Sequence, residues 1–199
     1  MHSRPNRKST AVILAGGRAS RYGGISKGLI ELTPGTTIIA RIIEEIRWGG
    51  PTEIAISANN PEPYEAFGLP ILADLRAGLG PVGGIEAGLS HFRNVCSGVL
   101  FMPCDLPSIS RNEISALVCA FDESAAEVVF ARDGSFVDHP LCSVVRNAAL
   151  PAVSKLIDEG CRRIADLWAI LGATSIQFEC DTPFFNVNTP ADMARWKGK

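Results

Sequence analysis

Residues 14–28, LAGGRASRYGGISKG, set Gly16, Gly17, Gly23, Gly24 and Gly28 among Arg18, Arg21 and Lys27, directly behind the apolar run 11–14. Gly16 and Gly17 carry no Cβ, so backbone N–H groups there can approach phosphate oxygens closely, and the cations supply the charge a triphosphate requires. The order is not GxxxxGK[ST], because Lys27 follows Ser26 and precedes Gly28, and it is not GxGxxG. It reads as a phosphate loop of another kind. A solvated glycine-rich turn is the plain alternative, against which stands the concentration of cations and glycines at one strand end.

Further polar sets lie downstream. In FMPCDLP, Asp105 emerges just past an apolar strand; a lone aspartate there can cap a turn, or hold Mg²⁺ together with nucleotide phosphate oxygens. In ADLRAGLGPVGGIEAGL, Asp74 ends a short strand, and Gly80, Pro81, Gly83 and Gly84 make a turn into the helix that carries Glu86. A carboxylate there could accept ribose hydroxyls or the N–H edge of guanine. In FFNVNTPADM, Asn186 and Asn188 fall on one side of an extended segment, where they could complete a metal or phosphate shell, and Thr189 caps a helix opening at Pro190.

The elements that must position these residues alternate. Strands are expected at 11–14, 53–57, 70–73, 98–102, 127–131, 141–145 and 175–178. Helices are expected at 37–47, 82–92, 111–121, 148–159 and 162–171, with a last one from Thr189 or Pro190. This alternation predicts an α/β fold: a mostly parallel central sheet with helices on both faces, whose ligands bind beyond the carboxyl ends of the strands. At 199 residues a single domain over 9–199 is expected, behind a disordered segment 1–8.

A net charge of −2 gives no general footprint for nucleic acid. No run approaches the roughly 18–20 apolar residues needed to span a bilayer. The cysteines (Cys96, Cys104, Cys119, Cys142, Cys161, Cys180) form no CxxC pair and suit free thiols in a reducing cytosol. A cytoplasmic protein with a small ligand is therefore expected, and a monomer.

LAGGRASRYGGISKG, GPVGGIEAGL, PCDLP, DHPL at 138–141 and NVNTPADMARW, in this order, resemble the molybdenum cofactor guanylyltransferases, the MobA-like branch of the nucleotidyltransferases. The resemblance implies a three-layer α/β/α Rossmann-like nucleotidyltransferase fold that binds GTP with Mg²⁺, transfers GMP to molybdopterin and releases pyrophosphate. It places Leu14, Ala15, Gly16, Gly17, Arg21 and Lys27 on GTP, Asp74 and the turn from Gly80 to Gly84 around the nucleoside, and Asp105 on Mg²⁺. Arg21, Lys27 and Asp105 are the expected catalytic groups, with Asn186, Asn188 and His139 of the DHP turn on the acceptor side. Molybdoenzyme maturation proteins are the implied onward partners.

The chain departs from the family pattern at Ser26, where relatives carry aspartate before the lysine, and at Ser57, where they carry the asparagine that faces guanine; Asn59 follows two residues later. Cytidylyl or sugar-phosphate nucleotidyl transfer is the rival activity, against which Gly16 argues, since cytidylyl relatives read alanine there. A non-catalytic GTP-binding partner in molybdoenzyme maturation is the rival of another class, against which the retained cationic loop and Asp105 argue.

Overall fold

A computed structural model describes residues 9–16 and 26–197; segment 1–8 and the loop residues Gly17, Arg18 and Arg21 lie outside the described residues. The chain runs through β1 (Thr10–Leu14), a hairpin of β2 (Glu31–Thr33) and β3 (Thr36–Thr37), α1 (Ile38–Gly49), β4 (Glu53–Ser57), β5 (Ile71–Leu72), α2 (Pro81–His91), β6 (Gly98–Pro103) and α3 (Arg111–Glu123). It continues through β7 (Val128–Arg132), β8 (Asp138–Arg146), α4 (Leu150–Asp158), α5 (Ile164–Ile170), β9 (Thr174–Gln177) and α6 (Pro190–Lys197).

The main sheet has the order β5-β4-β1-β6-β8-β7-β9. β8 is antiparallel to both its neighbours, and every other pairing in this sheet is parallel. Strands buried on both faces explain the continuous apolar runs. In β1, Ala11 and Ile13 point into one core with α1 and α3, while Val12 and Leu14 point into another with α2, α4 and α5. β6 divides in the same way, Leu100 and Met102 against Val99 and Phe101. The result is the expected α/β/α sandwich.

Local chemistry sets the helices. In α1, Ile38, Ile39, Ile42, Ile43 and Ile46 form a buried stripe at helical spacing, and the Thr37 hydroxyl caps its start by accepting from Ala40 N–H at 3.3 Å. In α3, Ser110 and Glu113 form a reciprocal capping box. The hairpin β2–β3, which the strand and helix periods do not anticipate, turns at Pro34-Gly35, Gly35 taking φ 79°. Segment 138–141, read from sequence as a DHP turn, is instead the first part of β8. The β7–β8 register shifts between Phe130 and Ala131, so Pro140, which has no N–H to donate, falls opposite this irregularity instead of in a regular ladder.

Candidate nucleotide site

The parallel strands end together and carry their following residues into one cavity of about 570 Å³. Beyond β1, the Leu14–Ala15 backbone is held from several sides: Ala15 N–H donates to Ser57 carbonyl at 2.9 Å, Cys104 N–H to Leu14 carbonyl at 3.3 Å, and the buried Tyr64 hydroxyl to Ala15 carbonyl at 3.2 Å. The peptide groups entering the glycine loop are thereby fixed before any ligand arrives. Tyr64 was not read from the sequence. Its only signal there is an aromatic residue inside the polar, proline-bearing stretch PEPYEAF.

Lys27 opens a 3-10 turn, Lys27–Leu29, which packs so closely on the core that a Cβ at Gly28 would lie 3.1 Å from Cys104 Cβ. That contact aims the Lys27 side chain across the cavity mouth. Its Nζ lies 3.4 Å from Asp105 Oδ2 and also donates to Asn188 Oδ1. Asp105 in turn is anchored through its backbone, its carbonyl accepting from Val187 N–H at 2.9 Å, and Val187 is fully buried between the two asparagines. Asn186 lines the cavity, and Asn188 is brought to Lys27. Thr189 caps α6, as read from sequence, by accepting from Asp192 N–H, and the Asp192 carboxylate accepts from its hydroxyl in return.

Burial of the Asp105 carboxyl pushes its pKa above the usual carboxylate range, and the charge of Lys27 offsets only part of that rise. Cys104, beside it, is pushed up to about 12 by burial and by the Asp105 charge, which makes it a packing residue and not a nucleophile. Among the described residues no group of three or more His, Cys, Asp or Glu could hold a metal ion by itself. One carboxylate with neighbouring amide oxygens suits a hard divalent cation that keeps waters and takes phosphate oxygens as its other ligands. Asp105, with Asn186 and Asn188 near it, fits that description.

At the other end of the cavity Asp74 stands beyond β5. Its Oδ2 accepts from Asn59 Nδ2 at 2.8 Å, and its N–H donates to Asn59 Oδ1 at 2.9 Å. The loop that follows is tied down by Arg76, which donates to Glu86 on α2 at 2.8 Å and pairs with Asp158 at the end of α4. Ser154 donates to the same Glu86 oxygen at 2.7 Å. Gly80 and Pro81 begin α2, and Gly83 and Gly84 give it a bare face: a Cβ at Gly83 would lie 2.7 Å from Asp74 Cγ, and one at Gly84 would lie 2.6 Å from Ser57 Oγ. Ser57 is therefore buried beneath α2 on the cavity floor.

His139, expected on the acceptor side, lines the cavity from β8. Its Nε2 lies 2.8 Å from Asp133 Oδ2, and its ring stacks on Phe184 at a 4.8 Å centroid separation. The adjoining Pro140 carbonyl accepts from Trp168 Nε1 at 2.7 Å. Asp133 was not singled out in the sequence; only the fold brings it to His139.

A cavity at the carboxyl ends of parallel strands, with fixed peptide groups and a lysine–aspartate pair at one end and a clasped carboxylate at the other, defines a nucleotide-handling α/β protein. The profile of the MobA-like NTP transferase domain matches residues 11–174. Among curated proteins, the chain is 36% identical over 190 residues to a molybdenum cofactor guanylyltransferase of Vibrio campbellii, covering 93% of each chain. It is 34% identical to one of Vibrio cholerae, covering 93% of this chain and 89% of that one. The chain belongs to the MobA-like NTP transferase family and is a nucleotidyltransferase enzyme.

Among solved structures, molybdopterin-guanine dinucleotide biosynthesis protein A of Archaeoglobus fulgidus superposes with a TM-score of 0.78 at 21% identity, covering 95% of this chain and 97% of that one. A CMP:2-keto-3-deoxy-manno-octonic acid synthetase complexed with CTP superposes at 0.73 with 14% identity, covering 96% and 97%. These likenesses establish the shared fold. No helix of the described residues is long and apolar enough to cross a membrane.

Proposed function

We propose that this chain transfers GMP from GTP to molybdopterin and releases pyrophosphate, forming the guanine dinucleotide of the cofactor. The observation that carries the reading is the arrangement of one cavity: Lys27 against Asp105 at 3.4 Å at the phosphate end, and Asp74, clasped by Asn59, at the nucleoside end. The name borne by the curated relatives supports guanylyl transfer as the activity.

An oxygen of the acceptor phosphate attacks the α-phosphorus of GTP. The bond from that phosphorus to the bridging oxygen breaks, and pyrophosphate leaves with the electron pair. Acceptor and donor are both anionic, and the leaving group gains charge, so alignment and fixed positive charge do most of the catalysis. Lys27 supplies that charge from a position set by Asp105 and Asn188, and Arg21 adds to it from the glycine loop. The Gly16 and Gly17 peptide groups receive phosphate oxygens, and Leu14 and Ala15, whose own peptide groups are engaged with Ser57, Cys104 and Tyr64, bound the GTP site at the base of the loop. Gly80, Ser57 and Asp74 bound the nucleoside, while His139, Asn186 and Asn188 face the acceptor.

Asp105 would hold Mg²⁺, which when bound neutralises phosphate charge and serves as a Lewis acid. The acceptor phosphate is already ionised, so no protein base is assigned. The enzyme works in the cytoplasm as a monomer and hands its product to molybdoenzyme maturation proteins, a reading supported by the scattered free cysteines.

Incubation with GTP, Mg²⁺ and molybdopterin, followed by detection of the dinucleotide and of pyrophosphate, tests the reading. Dinucleotide with GTP and not CTP is the expected result. Transfer with CTP instead would overturn the guanylyl assignment, and GTP binding with no pyrophosphate release would overturn the catalytic one.

A further inference from the structure

We infer that Asn59 is the positioning residue for recognition of the guanine base, acting through Asp74. The inference rests on the guanylyl reading and deepens it.

The two residues meet through sheet register. β4 and β5 pair Ser57 with Leu72, and Ala58 N–H still donates to Leu72 carbonyl at 2.9 Å. Continuing this parallel register by two residues sets Asn59 opposite Asp74. The pair then closes a two-point clasp: the Asn59 amide N–H donates to Asp74 Oδ2 at 2.8 Å, and the Asn59 amide oxygen accepts from Asp74 N–H at 2.9 Å. One contact fixes the backbone from which the carboxylate projects, and the other fixes its plane. The clasp also determines the Asn59 flip state, because only one orientation of the amide satisfies both partners.

The third side of the carboxylate is closed by α2. A Cβ at Gly83 would lie 2.7 Å from Asp74 Cγ and 2.9 Å from each carboxylate oxygen, so the group lies flush on bare helix backbone. Its rotamer is thereby confined between the amide and the helix. Each carboxylate oxygen has two acceptor positions, and Asn59 uses one of them. The rest remain for a ligand with two adjacent N–H donors in one plane, and among nucleobase edges the N1–H and N2–H₂ edge of guanine offers this pattern.

The same geometry explains how the chain works with serine at position 57. Ser57 is packed beneath Gly84, where its short hydroxyl cannot span two base atoms. Asn59 has both ends of its amide engaged by Asp74 and does not reach the base itself. Base reading falls to the Asp74 carboxylate, and Asn59 sets its orientation. Both residues line the cavity, so a bound base would shield the clasp from water and strengthen it.

The experiment compares GTP with inosine triphosphate, which keeps N1–H and lacks the N2 amino group, in the wild-type enzyme and in Asn59→Ala, Asn59→Ser and Asn59→Asp. Wild type is expected to prefer GTP in kcat/KM by at least tenfold. Asn59→Ala is expected to raise KM for GTP about tenfold with kcat within twofold of wild type, and to reduce the preference for GTP to below threefold. Asn59→Asp, isosteric but repelling Asp74, is expected to be worse than Asn59→Ala, and Asn59→Ser, which keeps one donor, to lie between Asn59→Ala and wild type.

Asn59 is exposed, so all variants should melt within a few degrees of wild type. A wild-type enzyme that turns over GTP and inosine triphosphate equally would overturn the inference while leaving guanylyl transfer standing. Asn59→Ala retaining wild-type KM and preference would also overturn it. A wild-type enzyme with no GTP-dependent transfer would overturn the underlying reading instead.

Discussion

Lys27 Nζ stands 3.4 Å from Asp105 Oδ2, and the two side chains come from segments that follow neighbouring parallel strands, one after β1 in the chain and the other after β6. The aspartate is the more buried partner, and burial wins over the lysine charge in setting its pKa, which is raised. The folded state therefore keeps a carboxylate where the local medium disfavours its charge. Such a cost is expected where charge is needed for chemistry.

Asp105→Asn should lose about 10²- to 10³-fold in turnover, the usual cost of removing one electrostatic stabiliser from a phosphoryl-transfer site. It should also unfold no cooler than wild type, because it removes the buried charge without changing side-chain volume. A rise of a few degrees is expected, since about 1 kcal/mol corresponds to roughly 2–4 °C in a domain of this size. Calorimetric melting in the absence of metal, set beside initial rates of pyrophosphate release, checks both halves. A clearly lower melting temperature would contradict the direction assigned to Asp105.

Lys27→Ala should lose at least about 10²-fold in turnover. In contrast to the aspartate variant it should melt lower, because it leaves Asp105 buried without its cation, a change that costs about 1–3 kcal/mol. The double variant Lys27→Ala with Asp105→Asn should recover most of that stability and none of the activity. A double-variant cycle on melting temperatures measures the coupling.

Much of this architecture could be read from the sequence because the parallel strands are buried on both faces. Runs such as TAVIL and GVLFMP are continuous, and the isoleucine stripe of α1 has one period only. The glycine loop, PCDLP and NVNTP could be located because each follows such a run or opens a capped helix. The hairpin β2–β3 could not, since strands of three and two residues give no period to detect. Nor could the partners of Asp74 and His139. The Asn59 clasp depends on the register of a two-residue strand, and Asp133 meets His139 only across the irregular β7–β8 ladder.

Gly83→Ala and Gly84→Ala should separate binding from stability. The methyl at 83 meets the Asp74 carboxyl, so it should displace that group and raise KM for GTP about tenfold, roughly 1.4 kcal/mol, with a small change in melting. The methyl at 84 meets Ser57 Oγ and the Leu14 side chain inside the core, so it should overpack and cost about 1–3 kcal/mol in stability. Steady-state kinetics with varied GTP and a denaturation series on both variants distinguish these outcomes.

His139→Ala should raise KM for the molybdopterin acceptor by about tenfold, a loss near 1.4 kcal/mol, while KM for GTP stays within twofold. The ring lines the cavity from β8 and is held by Asp133 and Phe184, and among the described residues no hydrogen bond ties it to Asp74 or Lys27. Kinetics with each substrate varied in turn check this. An equal rise in both constants would move His139 off the acceptor side.

Asp133→Ala should show a pH-dependent loss of stability. Burial acts to raise the Asp133 pKa, but the hydrogen bond to His139 and those from Val137 and Ser135 N–H outweigh it, and the carboxyl is held below its usual range. A carboxylate with a lowered folded-state pKa stabilises the fold fully above the unfolded value near 4 and loses that contribution as pH falls through the folded value. At pH 7 the variant should therefore be less stable by about 2–3 kcal/mol, given several hydrogen bonds to one charged acceptor, or about 5–10 °C in melting temperature. Below about pH 4 the wild type begins to lose the same contribution, and the gap between the two melting curves should narrow as pH falls toward the folded value. A gap that stays constant from pH 7 down to pH 3 would mean that Asp133 acts through packing alone, and that the orientation of His139 does not depend on its charge.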